Sequence, residues 1–152
     1  MPSQNYSHRL RTGRYSESGQ IYLVTVVALE RQPVFTTYKT GRLVVEAFRK
    51  AQEERFANSL AWVVMPDHFH WLIELQNLSL PKLMARTKSR TTVALNRATQ
   101  RQGPLWQQGY HDRAIRKEED LLAVARYIVT NPVRAGLVKK TGDYSLWDAI
   151  WV

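Results

Sequence analysis

His68 and His70 flank Phe69 in the stretch "MPDHFHWLIEL", residues 65 to 75. Imidazole is intermediate in burial and mild in strand preference, so packing alone does not ask for a pair of them in an apolar run. In an extended chain, side chains alternate. His68, His70, Leu72 and Glu74 then share one face, while Phe69, Trp71, Ile73 and Leu75 share the other. The apolar set is the core face. The two imidazoles lie two residues apart on the more polar side, within joint reach of one divalent ion. The spacing serves a metal pair and an ordinary half-buried pair equally well. Two ligands make a poor metal site, and the chain has no cysteine, so a third donor must be histidine, carboxylate or amide.

The segment "KEEDLLAVARYIVTN", residues 117 to 131, offers such a donor. At about 100° per residue, Leu121, Leu122, Val124, Ala125, Ile128 and Val129 form an apolar arc. Tyr127 and Asn131, four apart and therefore neighbours on a helix, sit together at one edge of that arc, where a helix meets a sheet. Each also has a plainer reading. Tyr127 suits an amphipathic boundary, and Asn131 precedes Pro132, where helices end and asparagine caps.

The elements that must position these residues follow from periodicity. "IYLVTVVALE" (21 to 30), dense in β-branched residues, predicts a first strand. Residues 38 to 56 place Leu43, Val44, Ala47, Phe48 and Ala51 at helical spacing. "LAWVVM" and "HFHWLIEL" predict two strands joined tightly through Pro66-Asp67. A second helix is expected over 80 to 101, a fourth strand over roughly 109 to 115, and a last helix begins with Glu118, Glu119 and Asp120, where the helix dipole favours anions. The order β-α-β-β-α-β plus one more helix is the split pattern of ferredoxin-like and RNA-recognition-type folds: an antiparallel sheet with helices on one face and an additional C-terminal helix. Nothing marks a repeat, a linker or a second domain, so residues 1 to 152 are read as one domain. Trp147, Ile150 and Trp151, near the end of the chain, are expected to fold back onto the core.

The formal charge is +9, from 22 Lys+Arg against 13 Asp+Glu. That balance favours polyanions such as nucleic acid over acidic membrane surfaces. The placement is uneven as well. No acidic residue lies between Glu74 and Asp112, yet Lys82, Arg86, Lys88, Arg90, Arg97 and Arg101 all do, and Arg9, Arg11 and Arg14 cluster in a polar N-terminal arm over 1 to 19. A one-signed face of this kind suits phosphate contact. Trp106, Tyr110 and His111 beside Arg113 and Arg116 could stack on unpaired bases, or equally belong to the core and rim of the fourth strand. The N-terminus lacks a signal-peptide core and no apolar run approaches a membrane span, so a soluble, cytoplasmic protein is expected.

Together, "WVVMPDHFHWL", "LWQQGYHDRAIR" and "YIVTNPVRAGLV", in that order, resemble the single-tyrosine HUH transposases of the IS200/IS605 type, especially their REP-associated branch. The resemblance spans nearly the whole chain. It implies that His68 and His70 bind a divalent metal, Mg²⁺ or Mn²⁺, that Asn131 is the third ligand, and that Tyr127 attacks a DNA phosphodiester. Asn131, where insertion-sequence members carry glutamine, agrees with the REP-associated branch. The implied partner is single-stranded or hairpin DNA of the REP type, cut and rejoined through a 5′-phosphotyrosine, by a monomer or else a homodimer. The chemistry suits the residue types. A tyrosine, with an ordinary pKa of about 10, is a weak nucleophile at neutral pH, and a cation beside the phosphate offsets the charge that grows in the transition state. A silent hairpin-binding module, or a phosphoesterase that uses activated water, are the competing expectations.

Overall fold

The structure, a computed structural model, describes residues 19–151. The basic cluster of Arg9, Arg11 and Arg14 lies outside the described residues. The chain forms β1 (Ile21–Val27), α1 (Tyr38–Glu53), β2 (Ala57–Met65), β3 (His68–Leu75), α2 (Leu80–Thr99), β4 (His111–Ile115), α3 (Glu118–Val129), α4 (Asn131–Arg134) and β5 (Trp147–Ala149). The strands make one sheet in the order β4-β1-β3-β2-β5, and every pairing is antiparallel. The first four strands carry the split βαββαβ arrangement that the periodicity predicts, and β3 lies at the centre of the sheet.

Local chemistry sets the element ends. Thr37 caps α1 by accepting from the Thr40 N–H, and Ser79 caps α2 by accepting from the Lys82 N–H, with Pro81 in the first turn. α1 stops short of the predicted residue 56 because Arg55 turns left-handed (φ 63°), and α2 stops before 101 because Gln100 does the same (φ 56°). β2 begins earlier than "LAWVVM", at Ala57, with an irregularity in its pairing between Ser59 and Ala61.

Alternation along the strands gives the sheet two apolar faces. Val24, Val26, Phe69, Trp71 and Ile73 pack under α1 and α2, with Phe48 stacked on Trp71 at 4.4 Å between ring centres. On the other side Ile21, Ala61, Val63, Leu72 and Ile115 pack under Val124, Ala125 and Ile128 of α3. The additional helix therefore covers the face that carries His68 and His70, opposite α1 and α2. Along β3 that face is polar at both ends, with the histidines at one and Glu74, which accepts from Asn58 and Gln76, at the other. Between them Leu72 is fully buried.

The end of the chain departs from expectation. β5 adds a fifth strand against β2, Leu146 is buried against Gly41, and Trp147 packs on the α3 side. Ile150 and Trp151, however, stay exposed. The run is too short to hold more than its first residues against the sheet, so of the three residues expected to fold back only Trp147 does.

Candidate active site

The tight Pro66-Asp67 turn sets His68 at the start of β3, and alternation puts His70 on the same face with ring centres 5.0 Å apart. Each Nδ1 already has a partner. His68 Nδ1 lies 2.7 Å from Asp67 Oδ1, and His70 Nδ1 lies 2.8 Å from Thr25 Oγ1 on the neighbouring strand. Asp67 in turn accepts from Arg31 at 3.3 Å. Burial works to raise the Asp67 pKa, but the His68 hydrogen bond and charge, with Arg31 behind them, outweigh it and hold the carboxyl below its ordinary range. His70 is buried. That burial, reinforced by charge on His68 and Arg134, pushes its pKa down to about 4, so its ring is neutral at physiological pH.

This donor set fits a divalent cation. A metal needs unprotonated imidazole nitrogens, and ligating histidines keep their orientation by giving the other ring N–H to an oxygen. Both histidines have that oxygen at Nδ1, and among the described residues neither Nε2 has a hydrogen-bond partner. Among the described residues no group of three or more His, Cys, Asp and Glu side chains is arranged to hold an ion. The remaining ligands would be oxygens: the neutral Asn131 amide, water, or an anionic phosphate oxygen of the substrate.

α3 brings Tyr127 over this pair. Val124, Ala125 and Ile128 seat the helix on the sheet, and the phenol stands with its ring centre 6.0 Å from that of His70, edge to face. Half of Tyr127 remains exposed, so the hydroxyl is open to an incoming molecule. Asn131 is half-buried and opens α4, one residue past the break at Thr130, so it starts a helical turn rather than capping one.

Beside Tyr127 a cavity of about 790 Å³ runs between β4 and α3, lined by Thr25, His70, His111, Arg113, Arg116 and Lys117 among others. Thr25 sits opposite His70 on one neighbouring strand and opposite His111 on the other, so these three form a polar row across the sheet.

The other basic candidates are placed differently. Lys82, Arg86, Lys88 and Arg90 belong to α2, on the far side of the sheet from Tyr127. Arg90 makes a two-pronged contact with Glu54 at 2.6 and 2.8 Å, and Arg86 approaches the same carboxylate while lying over the Phe56 ring. Lys88 donates to the carbonyls of Gln107 and Gly109, and burial lowers its pKa. Trp106 is a core residue: it stacks on Phe35 and donates its N–H to Thr91. Burial therefore removes it as a platform for bases. Tyr110 is half-buried against the same core. Of these candidates Arg113 and Arg116, with His111, line the cavity beside Tyr127.

Thr25, Asp67, Arg31 and Arg134 are contributors that motif reading passes over. Two of them carried a signal: Asp67 adjoins His68, and Thr25 is the one polar residue within "IYLVTVV". Arg31 and Arg134 reach the site only through the fold.

The family described as "Transposase IS200 like" matches residues 16–131. A REP-associated tyrosine transposase of Escherichia coli (strain K12) is 27% identical over 133 residues, covering 86% of this chain and 77% of that protein. A Haemophilus influenzae protein, provisionally given the same name, is 27% identical over 139 residues, covering 83% and 77% of the two chains. Among solved structures, that of a REP-associated tyrosine transposase bound to a REP hairpin is similar with a TM-score of 0.75 and 26% identity, over 88% of this chain and 79% of that one. A Deinococcus radiodurans structure, 19% identical with a TM-score of 0.55 over 71% of this chain and 87% of its own, shares the fold.

Proposed function

The chain belongs to the IS200-like transposases, enzymes of DNA strand cleavage and transfer, and from that premise we propose a metal-dependent single-strand endonuclease and strand transferase that works at REP-type hairpins. The observation that carries this reading is the Tyr127 phenol standing 6.0 Å, ring centre to ring centre, from a neutral, buried His70 whose Nδ1 is taken by Thr25.

In the proposed reaction Tyr127 Oη attacks the scissile phosphorus. The bond to the 3′ oxygen breaks, the phenolic proton passes through solvent to that oxygen, and the products are a 5′-phosphotyrosine and a free 3′-hydroxyl. The hydroxyl can later attack the phosphotyrosine and rejoin a strand, so no external energy source is needed. His68, His70 and the Asn131 amide would hold the divalent cation, Mg²⁺ or Mn²⁺, whose positive charge would stabilise the developing phosphate charge. Asp67 and Thr25 hold the two imidazoles at Nδ1, which would leave each Nε2 for the cation. Arg113, Arg116 and Lys117 line the cavity beside Tyr127, where they suit the backbone of an unpaired strand. The relative solved with a REP hairpin supports a hairpin as the substrate, and the flanking single strand is part of the proposal. A monomer carrying His68, His70, Tyr127 and Asn131 on one chain contains every residue the reaction needs.

The test is a REP-like hairpin oligonucleotide incubated with the protein and Mn²⁺. A protein–DNA adduct that survives denaturant, and is lost in Tyr127→Phe, is expected. Cleavage without an adduct would replace this reading with water-driven hydrolysis, and binding without cleavage would reduce the protein to a hairpin-binding module.

A further inference from the structure

Helix α3 breaks just beyond Tyr127. Pro132 has no N–H to offer to the preceding turn, and the carbonyls at the end of the helix must find other donors. The carbonyl of Tyr127, which a continuous helix would pair with the Asn131 N–H, is met by side chains: Arg134 Nη2 donates to it at 2.5 Å and the Thr130 hydroxyl reaches it at 3.5 Å, while Arg134 Nη1 donates to that hydroxyl. The guanidinium also lies over the phenol, its central carbon 4.1 Å from the ring centre. One planar group thus touches both the backbone and the ring of Tyr127.

An exposed tyrosine needs such a contact. Tyr127 is 51% exposed and α3 supports it from below only, so the ring would otherwise have freedom about both side-chain torsions. His70 meets the ring edge to face, at 67° between planes, and Arg134 lies against it as a second wall. The fork of an arginine suits this task because its donors and its stacking face are fixed in one plane. Among the described residues Arg134 forms no ion pair with a carboxylate, so nothing competes for it.

We propose that Arg134 is a positioning residue for the attacking tyrosine: it clamps the ring and its carbonyl together so that the hydroxyl is presented at the histidine pair. This rests on the reading of Tyr127 as the nucleophile. It assigns Arg134 a place in the rate of attack and none in affinity for DNA.

Two measurements on Arg134→Ala, Arg134→Gln and Arg134→Lys test the clamp. In single-turnover reactions with saturating hairpin oligonucleotide and Mn²⁺, Arg134→Ala is expected to form the adduct ~100-fold more slowly, the scale of loss for a misplaced reacting group, with hairpin Kd and melting temperature close to those of the unaltered protein. Arg134→Lys, which keeps a charge over the ring, should recover part of the rate, and Arg134→Gln, which keeps only the hydrogen bond, should recover less. A loss that appears in Kd at unchanged rate would make Arg134 a DNA contact and overturn the proposal. The second measurement needs no DNA: side-chain coupling constants of Tyr127 by NMR should report one rotamer in the unaltered protein and averaging in Arg134→Ala. One rotamer in both would overturn the clamp. If the unaltered protein forms no adduct, the nucleophile reading falls, and the coupling constants by themselves decide whether Arg134 holds the ring.

Discussion

Thr25 Oγ1 lies 2.8 Å from His70 Nδ1 across the β1–β3 pairing, so the orientation of a central-strand histidine is fixed from the strand next to it. With a cation on Nε2, as proposed above, Nδ1 would carry the proton and donate it to Thr25, and His68 Nδ1 would donate to Asp67 in the same way.

These two supports should be visible in metal affinity. Thr25→Val and Asp67→Ala are each expected to weaken Mn²⁺ binding ~10- to 100-fold, as loss of the oxygen behind a ligating histidine does elsewhere. Mn²⁺ titration followed by electron paramagnetic resonance, without DNA, measures this directly. His68→Ala should abolish the binding altogether. Affinity unchanged in Asp67→Ala would mean that the turn, and not the carboxylate, orients His68.

His70 also makes stability depend on pH. Its folded pKa is about 4 against 6.5 for the free side chain, so between these values the unfolded chain binds more protons. Stability in metal-free buffer should therefore fall as pH drops from about 6.5 and level off near 4, by at most about 3 kcal/mol from this one group. Urea unfolding at pH 7 and pH 5 measures the slope, and His70→Gln should flatten it.

The two sets of basic residues should separate in their response to salt. Arg113 and Arg116 line the cavity beside Tyr127, whereas Arg90 is bound to Glu54 on the opposite side of the sheet. Arg113→Ala and Arg116→Ala should each reduce the slope of log affinity against log salt for hairpin DNA by about 0.7 to 1. Arg90→Ala should leave that slope alone and lower thermal stability slightly. A reduced slope in Arg90→Ala would place DNA across α2.

Trp106 distinguishes core from platform. Its ring stacks on Phe35 and its N–H bonds Thr91, so Trp106→Ala should cost about 3–5 kcal/mol of unfolding free energy, read from urea titration. A stable variant with weakened DNA binding would return Trp106 to the surface.

Much of this arrangement was legible before any coordinates. Strand alternation placed His68 and His70 on one face, because that period is a local property of the backbone, whereas the helical phase that joins Tyr127 to Asn131 does not run through: α3 ends at Val129 and Asn131 opens α4. The side of the sheet that α3 covers was not legible, since it depends on the path of the connection after β4. Nor was β5, whose three paired residues are too few to show a period. Charge was the least reliable guide. A count of arginines on α2 does not reveal Glu54 waiting at the end of α1, and "LWQQGY" reads as well for a base-stacking loop as for the core segment that Trp106 makes it. The contacts of Arg31 and Arg134 are long-range or cross a helix break, and no spacing rule anticipates them.

The break at Thr130 divides the site unequally. The histidines belong to the central strand, locked by neighbours on both sides, whereas Tyr127, Asn131 and Arg134 lie within eight consecutive residues that rest on a smaller apolar patch. Stretches with few buried contacts open at lower free energy than a sheet centre. The protein thus joins a durable anchor to a detachable arm, and on warming the arm should exchange its amide hydrogens first, disconnecting the reaction while the fold persists.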